Sequence, residues 1–296
     1  MAASARTHIA LCSLLATALY VPSASASTQP AAPAEVQAAE PVLDADPSDA
    51  VGFVVVRENG SGSASAAQSY LDTLLASIAK RNGWASASGK YFTKRSKARK
   101  FIEQSKPSFG FLSFGAYLGL RKAHDLTPMA VASNGAVGGS QYFVITKNHI
   151  SVDDCKGKTL ATNHASDARF VDAVVAGEDF DLADFTLVPT RRPVQTIKAV
   201  INGEAECALV DDAQIVAMHR VEGGALLRPV WHSAEMPGVV LVSFGRAPAK
   251  QVEAFDSTVE SMCEGDGRGA CDAAGISALR KVAKDVFATQ QAAYDG

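Results

Sequence analysis

The sequence has no excess of positive charge and no shortage of apolar residues. Its 296 residues carry 28 Lys and Arg against 31 Asp and Glu, a formal net charge of −3. Proteins that bind the nucleic-acid backbone need a basic surface, so that class is excluded. With 47% hydrophobic and 20% charged residues, the chain is too apolar to be mostly disordered. It is long enough for two domains or one large α/β domain.

The sequence also lacks the short motifs of common catalytic and metal sites. It contains no G-x-S-x-G, no H-E-x-x-H and no G-x-x-x-x-G-K-[ST] phosphate loop. Its six histidines are scattered, and its five cysteines do not have the spacing of a zinc site. We therefore expect that the protein is not an enzyme and that it holds no metal or cofactor.

The first 49 residues are expected to lie outside the folded part. A positively charged start and a short apolar run up to Val21 precede Ala24-Ser25-Ala26, which is typical of a secretory cleavage site. The run is shorter than the roughly 20 residues of a membrane-spanning helix. We predict a signal peptide over 1–26, cut after Ala26, and a flexible Ala- and Pro-rich tether over 27–49. The mature protein would then be periplasmic or secreted.

Export to an oxidising compartment makes the cysteines informative. Cys263 and Cys271 flank a polar, glycine-rich loop between two predicted helices, which favours a local disulfide. Cys207 lies in an apolar predicted strand and is typical of a core residue. Cys155 is either free or paired with Cys207, and the spacing leaves both possibilities open.

From residue 51 onward, apolar runs alternate with amphipathic segments. The continuous apolar run Val51–Val56 is typical of a strand buried on both faces. After a loop at 59–63, the spacing of apolar residues predicts an amphipathic helix. The residues of its apolar face are Tyr70, Leu71, Leu74, Leu75 and Ile78. The alternation continues to a last helix predicted from Ile276 to Ala288, and it predicts an α/β fold with mostly parallel strands.

Polar residues at the strand-to-helix junctions are the candidates for binding. In an α/β fold these junctions meet at one sheet edge, where helix N-termini offer N–H groups and partial positive charge to an anion. The candidates are Ser61, Ser63, Ser113, Ser166 and Thr190. Each is equally explained as an ordinary helix cap.

Arg191 and Arg192 indicate an anion more sharply than the hydroxyl residues do. They directly precede the helix that begins at Pro193, and two cations at a helix start oppose the helix dipole. A surface pair bonded to Asp181 or Asp184 is the alternative. At the end of a later predicted strand, Asp211-Asp212 is most simply one ligand contact and one helix cap, although the pair could serve as acid–base carboxylates.

Three segments carry motifs of a known family. They are GKTLAT at 157–162 with HAS at 164–166, the run TIKAVINGEAECALVD at 196–211, and FLSFGAY at 111–117. They resemble the "lkGKtlAf…SaSG", "iqAVlnGevDaAaVD" and "lGPaaY" segments of the phosphonate- and phosphite-binding periplasmic proteins of ABC transporters. The similarity extends over about residues 51–262.

The resemblance implies a type 2 periplasmic-binding-protein fold, in which two α/β lobes are joined by two crossover strands and close on a solute. The glycines near 135–140 and the stretch 231–238 fit the two crossings. Lobe 1 would comprise 50–136 plus 237–296, and lobe 2 would comprise 140–232. The implied function is capture of a small anionic, phosphonate- or phosphate-like solute by a monomer that passes it to a membrane permease. The alternative is a stand-alone sensor or scaffold that signals to a partner protein.

The resemblance also implies roles for single residues. Tyr117 would line the wall of lobe 1, Ser166 would bond the anionic head, and Asp211 would face the cleft, where the family's aspartate can meet an amino group of the ligand. The chain departs from the family at Ala165-Ser166-Asp167, where the family has a Ser/Thr-Ser pair, and Asp167 would repel an anion unless its side chain points away. It departs again at Pro193-Val194, where the family often has His-Asp. Both departures put an aminoalkylphosphonate in doubt.

Overall fold

In the computed structural model, residues 50–58, 64–134 and 138–296 are described, and their strands form two separate β-sheets. The signal peptide and tether predicted over 1–49 lie outside these residues. Among the described helices, none has the length and apolarity required to cross a membrane.

The first sheet has six strands in the order β11-β4-β10-β3-β1-β2. Its strands are β1 (Ala50–Val56), β2 (Ser86–Phe92), β3 (Phe109–Ser113), β4 (Thr127–Asn134), β10 (Val239–Ser243) and β11 (Ile276–Lys281). The helices connected to it are α1 (Ala64–Asn82), α2 (Arg95–Ser105), α3 (Phe114–His124), α7 (Ala249–Thr258), α8 (Arg268–Ala273) and α9 (Ala288–Asp295). We call this sheet and its helices the first lobe.

The second sheet has five strands in the order β7-β6-β8-β5-β9. Its strands are β5 (Tyr142–Thr146), β6 (Thr159–Thr162), β7 (Thr186–Pro189), β8 (Cys207–Asp211) and β9 (Arg228–His232). Its helices are α4 (Ala168–Phe170), which continues as a π-helical segment (Val171–Ala176), α5 (Pro193–Ile201) and α6 (Asp212–Met218). We call this sheet and its helices the second lobe.

The chain passes between the lobes twice, and each passage fixes a strand direction. It leaves the first lobe at the end of β4 and enters the second as β5, then returns after β9 as β10. Each entering strand starts beside the end of a neighbour, with Tyr142 opposite Asp211 and Val239 opposite Ser113. β5 therefore runs antiparallel to β8, and β10 antiparallel to β3 and β4. The prediction of mostly parallel strands is wrong for this reason, although β1–β2, β1–β3, β6–β7 and β6–β8 are parallel.

The helix predicted from Ile276 to Ala288 is also wrong, because the only helix described there, α9, begins at Ala288. Ile276–Lys281 is strand β11, paired antiparallel with β4. The register shifts between Ile276 and Ala278, so Ile276 and Leu279 both face the core although they are three residues apart. A β-bulge thus produces the apolar spacing that is otherwise typical of a helix.

Apolar burial follows the predicted pattern in most of the first lobe. The predicted strand and the predicted helix face both lie in the core. Their buried residues are Val51, Phe53, Val54, Val55 and Val56 of β1 and Leu71, Leu74, Leu75 and Ile78 of α1. Tyr70 is the exception, with 52% of its surface exposed. The α1 helix therefore packs through a narrower apolar stripe than the sequence predicts.

Two disulfides brace the protein, one in each lobe. The predicted bond between Cys263 and Cys271 is confirmed, with sulfur atoms 2.10 Å apart. Cys155 is bonded to Cys207, with sulfur atoms 1.98 Å apart, which settles the choice that the spacing left open. The second bond ties the turn before β6 to the start of β8, and both of its cysteines are fully buried.

Candidate functional site

A small cavity lies where the two lobes meet, at the ends of strands β1, β3 and β8. Its volume is about 40 Å³, and residues of both lobes line it. From the first lobe come Arg57, Glu58, Arg95, Ser113, Phe114, Gly115 and Gly238. From the first crossing and the second lobe come Gly138, Gly139, Tyr142, His164, Ser166, Asp167, Phe170 and Asp211. We call this cavity the cleft.

Ser113 and the start of α3 form one wall of the cleft. Strand β3 passes directly into α3 at Ser113, with no intervening loop. The Ser113 hydroxyl makes no capping bond, and its Oγ is a buried polar atom without a hydrogen-bond partner. The first N–H groups of an eleven-residue helix lie beside it and have no partner within the helix. This corner offers hydrogen-bond donors to an acceptor in the cleft.

Two arginines and one glutamate of the first lobe add charge to the cleft. Arg95 donates from Nη2 to Glu58 at 2.5 Å and forms an ion pair with Asp167 of the second lobe at 2.7 Å. Burial disfavours the charged guanidinium, but the two carboxylates outweigh it and raise the pKa of Arg95. Desolvation lowers the pKa of Arg57, while Asp211 and Asp212 act in the opposite direction.

Asp211 and His164 form the buried polar floor in the second lobe. Asp211 caps α6, accepting from the Gln214 N–H at 2.9 Å, and His164 Nε2 lies 3.2 Å from Gln214 Oε1. Burial favours the neutral form of each group, because it raises the pKa of Asp211 and lowers that of His164. Gly138, with φ of +77°, leaves room for this carboxylate, since a Cβ there would lie 2.6 Å from Asp211 Oδ2.

Tyr142 and Phe170 close the cleft from the second lobe. Burial raises the pKa of Tyr142 well above its ordinary value, so its hydroxyl stays protonated. Its ring meets those of His164 and Phe170 edge-on, with centroids 5.1 Å and 6.0 Å apart. Phe170 also contacts Phe114 across the cleft at 6.3 Å. Aromatic contacts therefore limit the space between the lobes.

Three of the predicted binding residues line the cleft together. They are Ser113, Ser166 and Asp211. Ser166 lies in the single 3-10 turn Ala165–Asp167 that follows β6. The neighbouring Asp167, which the sequence marked as a departure from the family, is paired with Arg95. Ser61 and Ser63 lie outside the described residues.

Tyr117 does not occupy the position that the resemblance implies. It is 1% exposed in the core of the first lobe, and its hydroxyl accepts a hydrogen bond from Gln291 of α9 at 2.8 Å. Because α3 begins at Phe114, Tyr117 lies one helical turn beyond the cleft wall and points into the packing between α3 and α9.

Thr190, Arg191 and Arg192 also do not line the cleft. Thr190 Oγ1 lies 2.5 Å from Thr196 Oγ1, and both arginines are exposed at the start of α5. No ion pair joins the arginines to Asp181 or Asp184 among the described residues; those two aspartates instead form a capping box around the turn Leu182–Asp184. The two arginines therefore neither line the cleft nor pair with Asp181 or Asp184, which were the two interpretations that the sequence suggested.

Three charged residues of the cleft are not among the sequence candidates, although the sequence contains signals for them. Arg57 and Glu58 directly follow the apolar run of β1, at the sheet edge where ligands bind in α/β folds. Arg95 is the first residue of α2, so it opposes the helix dipole as Arg191 and Arg192 do. Applied to every helix start, that criterion identifies Arg95. The ion pair between Arg95 and Asp167 could not be predicted in this way, because the two residues are 72 positions apart and meet only where the lobes come into contact.

Residues 62–287 match the family model described as the phosphonate periplasmic substrate-binding protein of ABC transporters. Known structures resemble the fold at low identity. A chloride-bound protein of Xanthomonas citri is 11% identical, with a TM-score of 0.66 over 83% of this chain and 96% of that one. PhnD1 of Prochlorococcus marinus, in complex with methylphosphonate, is 8% identical, with a TM-score of 0.61 over 83% and 97%.

A third known structure is similar to this chain in the same way. It is a binding-protein component of an ABC phosphonate transporter from Pseudomonas aeruginosa, 14% identical, with a TM-score of 0.59 over 80% of this chain and 82% of that one. No curated protein sequence matches the chain. These structures share the two-lobed fold of type 2 periplasmic binding proteins. Because the family model spans most of the chain, the protein belongs to the family of phosphonate-binding periplasmic substrate-binding proteins of ABC transporters.

Proposed function

We propose that the protein captures a small anionic solute, phosphonate- or phosphate-like, in the cleft and delivers it to an ABC permease. The observation that carries this proposal is the buried Ser113 hydroxyl, which has no partner and lies at the N-terminus of α3. A buried polar group without a partner costs free energy, and an anion at this position would accept its hydrogen bond. The adjacent helix N–H groups favour the same negative charge.

The size of the cleft supports a compact solute. Arg95 shares its charge between Glu58 and Asp167, and Arg57 adds a second cation to the lining. The cavity of about 40 Å³ corresponds to the space of roughly three water molecules. Phosphate, phosphite or methylphosphonate suits this space better than a long alkyl chain does.

Ser166 and Asp211 have complementary roles in this proposal. The Ser166 hydroxyl would bond the anionic head from the second lobe. Asp211 would accept a hydrogen bond from an O–H or N–H of the solute, because a carboxylate can approach an anion only through a shared proton. A protonated oxyanion and an amino-substituted phosphonate both provide that donor.

The lobe limits and the cellular setting are part of the proposal. Lobe 1 would comprise 50–136 plus 237–296, and lobe 2 would comprise 140–232. The protein would work as a monomer in the periplasm after removal of a signal peptide. Mass spectrometry of the native protein tests the last point, because cleavage after Ala26 predicts an N-terminus at Ser27.

Thermal shift with a panel of anions tests the proposed solute class. The panel contains phosphate, phosphite, methylphosphonate, 2-aminoethylphosphonate, methanesulfonate and succinate, each as the same counter-ion salt at equal ionic strength. We expect one of the first four to raise the melting temperature, because ligands that bind only the folded state stabilise it. If no anion shifts the melting temperature, the anion hypothesis fails.

Substitutions then locate the bound anion. Ser113→Ala should weaken binding about 10- to 100-fold, the value of a hydrogen bond to a charged group. Ser257→Ala is the matched control, since Ser257 is exposed on α7. The double substitution Arg191→Ala with Arg192→Ala should leave binding unchanged if the solute lies in the cleft. Loss of binding in that variant, with Ser113→Ala unaffected, would place the solute at the start of α5 instead.

A further inference from the structure

An ion-pair cluster joins the two lobes at the rim of the cleft. Arg95 of the first lobe donates to Glu58 from Nε at 3.2 Å and from Nη2 at 2.5 Å, and it pairs with Asp167 of the second lobe at 2.7 Å. The three side chains are only 16 to 18% exposed. Hydrogen bonds between ionised groups are stronger than neutral ones, and solvent weakens this partly buried set little.

The C-terminal helix α9 adds a hydroxyl to the same cluster. Tyr294 Oη lies 3.4 Å from Arg95 Nη1 and 3.3 Å from Asp167 Oδ2. Neighbouring residues hold α9 on the first lobe, where Arg121 forms an ion pair with Asp295 at 2.5 Å. On the other side, Arg169 of the second lobe donates to the Tyr294 carbonyl at 3.5 Å. The helix therefore contacts both lobes.

Two glycines on α3 make room for these contacts. Gly115 and Gly119 are four residues apart and thus share one helix face. A Cβ at Gly119 would overlap the Arg95 guanidinium and come within 3.0 Å of Tyr294 Oη, and one at Gly115 would lie 3.1 Å from the Phe170 ring. A side chain at Gly115 would therefore push Phe170 of the second lobe away, and one at Gly119 would displace Arg95 and Tyr294 from their contacts with Asp167.

We propose that Glu58, Arg95, Asp167 and Tyr294 form an interlobe clasp that holds the lobes closed before any solute binds. Asp167 is a carboxylate of the protein itself that the second lobe presents to Arg95 of the first lobe. Its carboxylate thereby connects the two lobes in the same way as a solute anion held by groups of both lobes would. The closed form would be the main population of the solute-free protein. This inference rests on contacts between the lobes and is independent of the identity of the solute.

Interlobe distances in the solute-free protein test the clasp. All four cysteines among the described residues are disulfide-bonded, so new cysteines can be labelled selectively. Spin labels at Ser257→Cys in the first lobe and Glu222→Cys in the second use exposed positions. Pulsed dipolar spectroscopy of the mature chain, dialysed free of small anions, should give one dominant short distance.

Substitutions of the clasp should change this distribution. Asp167→Asn keeps the shape and the acceptor that caps Phe170 but removes the charge, and it should lower the closed-to-open ratio about tenfold, between the effects of exposed and buried pairs. Tyr294→Phe should lower the ratio less. Asp256→Asn is the matched control, because Asp256 pairs with Lys281 within the first lobe.

Two results would overturn the clasp. One is a solute-free wild type that is mainly open, and the other is an Asp167→Asn variant with the wild-type distribution and wild-type circular dichroism. Neither result depends on solute affinity, so a failure of the clasp is distinguishable from a failure of the proposed anion binding. If Asp167→Asn does not fold, Tyr294→Phe decides, and an unchanged distribution in that variant counts against the clasp.

Discussion

The two disulfides allow a prediction whose magnitude depends on loop length. Cys155 and Cys207 are 52 residues apart in sequence, whereas Cys263 and Cys271 are 8 apart. All four side chains are at most 3% exposed, so replacing either pair with alanine removes a similar amount of packing. The two variants should therefore differ mainly in the chain entropy that each cross-link removes from the unfolded state.

Loop-closure entropy makes the longer cross-link the more stabilising one. At 25 °C it predicts a loss of about 4.1 kcal/mol without the bond between Cys155 and Cys207, and about 2.5 kcal/mol without the bond between Cys263 and Cys271. The double variant Cys155→Ala with Cys207→Ala should thus be less stable by about 1.6 kcal/mol than Cys263→Ala with Cys271→Ala.

Urea unfolding under non-reducing conditions measures both losses. The two tryptophans of the sequence report on different lobes, since Trp84 packs on Phe109 in the first and Trp231 donates to Asp179 in the second. Backgrounds with Trp84→Phe or Trp231→Phe therefore follow each lobe separately by fluorescence. Equal losses, or a larger loss for the short loop, would refute the entropic reasoning. A loss confined to the first lobe in the Cys155 variant would refute it too.

Two further predictions concern the cleft. Burial lowers the pKa of His164 in the folded protein below its ordinary value of 6.5. As the pH falls through 6.5, the unfolded state therefore binds a proton more readily than the native state does. The free energy of unfolding should decrease over this range. In urea titrations, His164→Gln should reduce the change in unfolding free energy between about pH 7 and 5. If the variant keeps the wild-type dependence on pH, the prediction is wrong. Gly138→Ala should destabilise more than Gly157→Ala. The two glycines have nearly the same positive φ, +77° and +76°, which costs an alanine about 1 kcal/mol at either position. Only at Gly138 would the Cβ also meet Asp211, since nothing lies within 4 Å of it at Gly157. Equal melting temperatures of these two variants would show that the carboxylate moves aside.

β1, α1 and the short disulfide loop of the first lobe were predictable because they follow local rules. The apolar run of β1 and the spacing of α1 each depend on neighbouring residues, and the bond between Cys263 and Cys271 closes a short loop. Cys155 and Cys207 were undecided because their proximity depends on how β6 and β8 pair. The bulge in β11 misled the helix prediction because it changes the apolar spacing from two residues to three.

The cleft was only partly predictable, for a different reason. Ser113, Ser166 and Asp211 follow strands, and strand ends converge in any α/β fold. Tyr117 was expected on the cleft wall from a motif, but α9 packs over it from the far end of the chain. The charge balance of the cleft depends on Arg95 meeting Asp167 across the lobes. No local pattern contains that contact.

The docking of α9 has a practical consequence for how the protein is handled. Tyr294 lies near the end of α9, and its hydroxyl lies at the cleft rim. An affinity tag or fluorescent reporter placed directly after α9 would lie beside the contact between the two lobes, and a histidine-rich tag would bring its own cations close to Asp167. Fusions on the N-terminal side of Ala50, where β1 begins, avoid this interference in any measurement of binding.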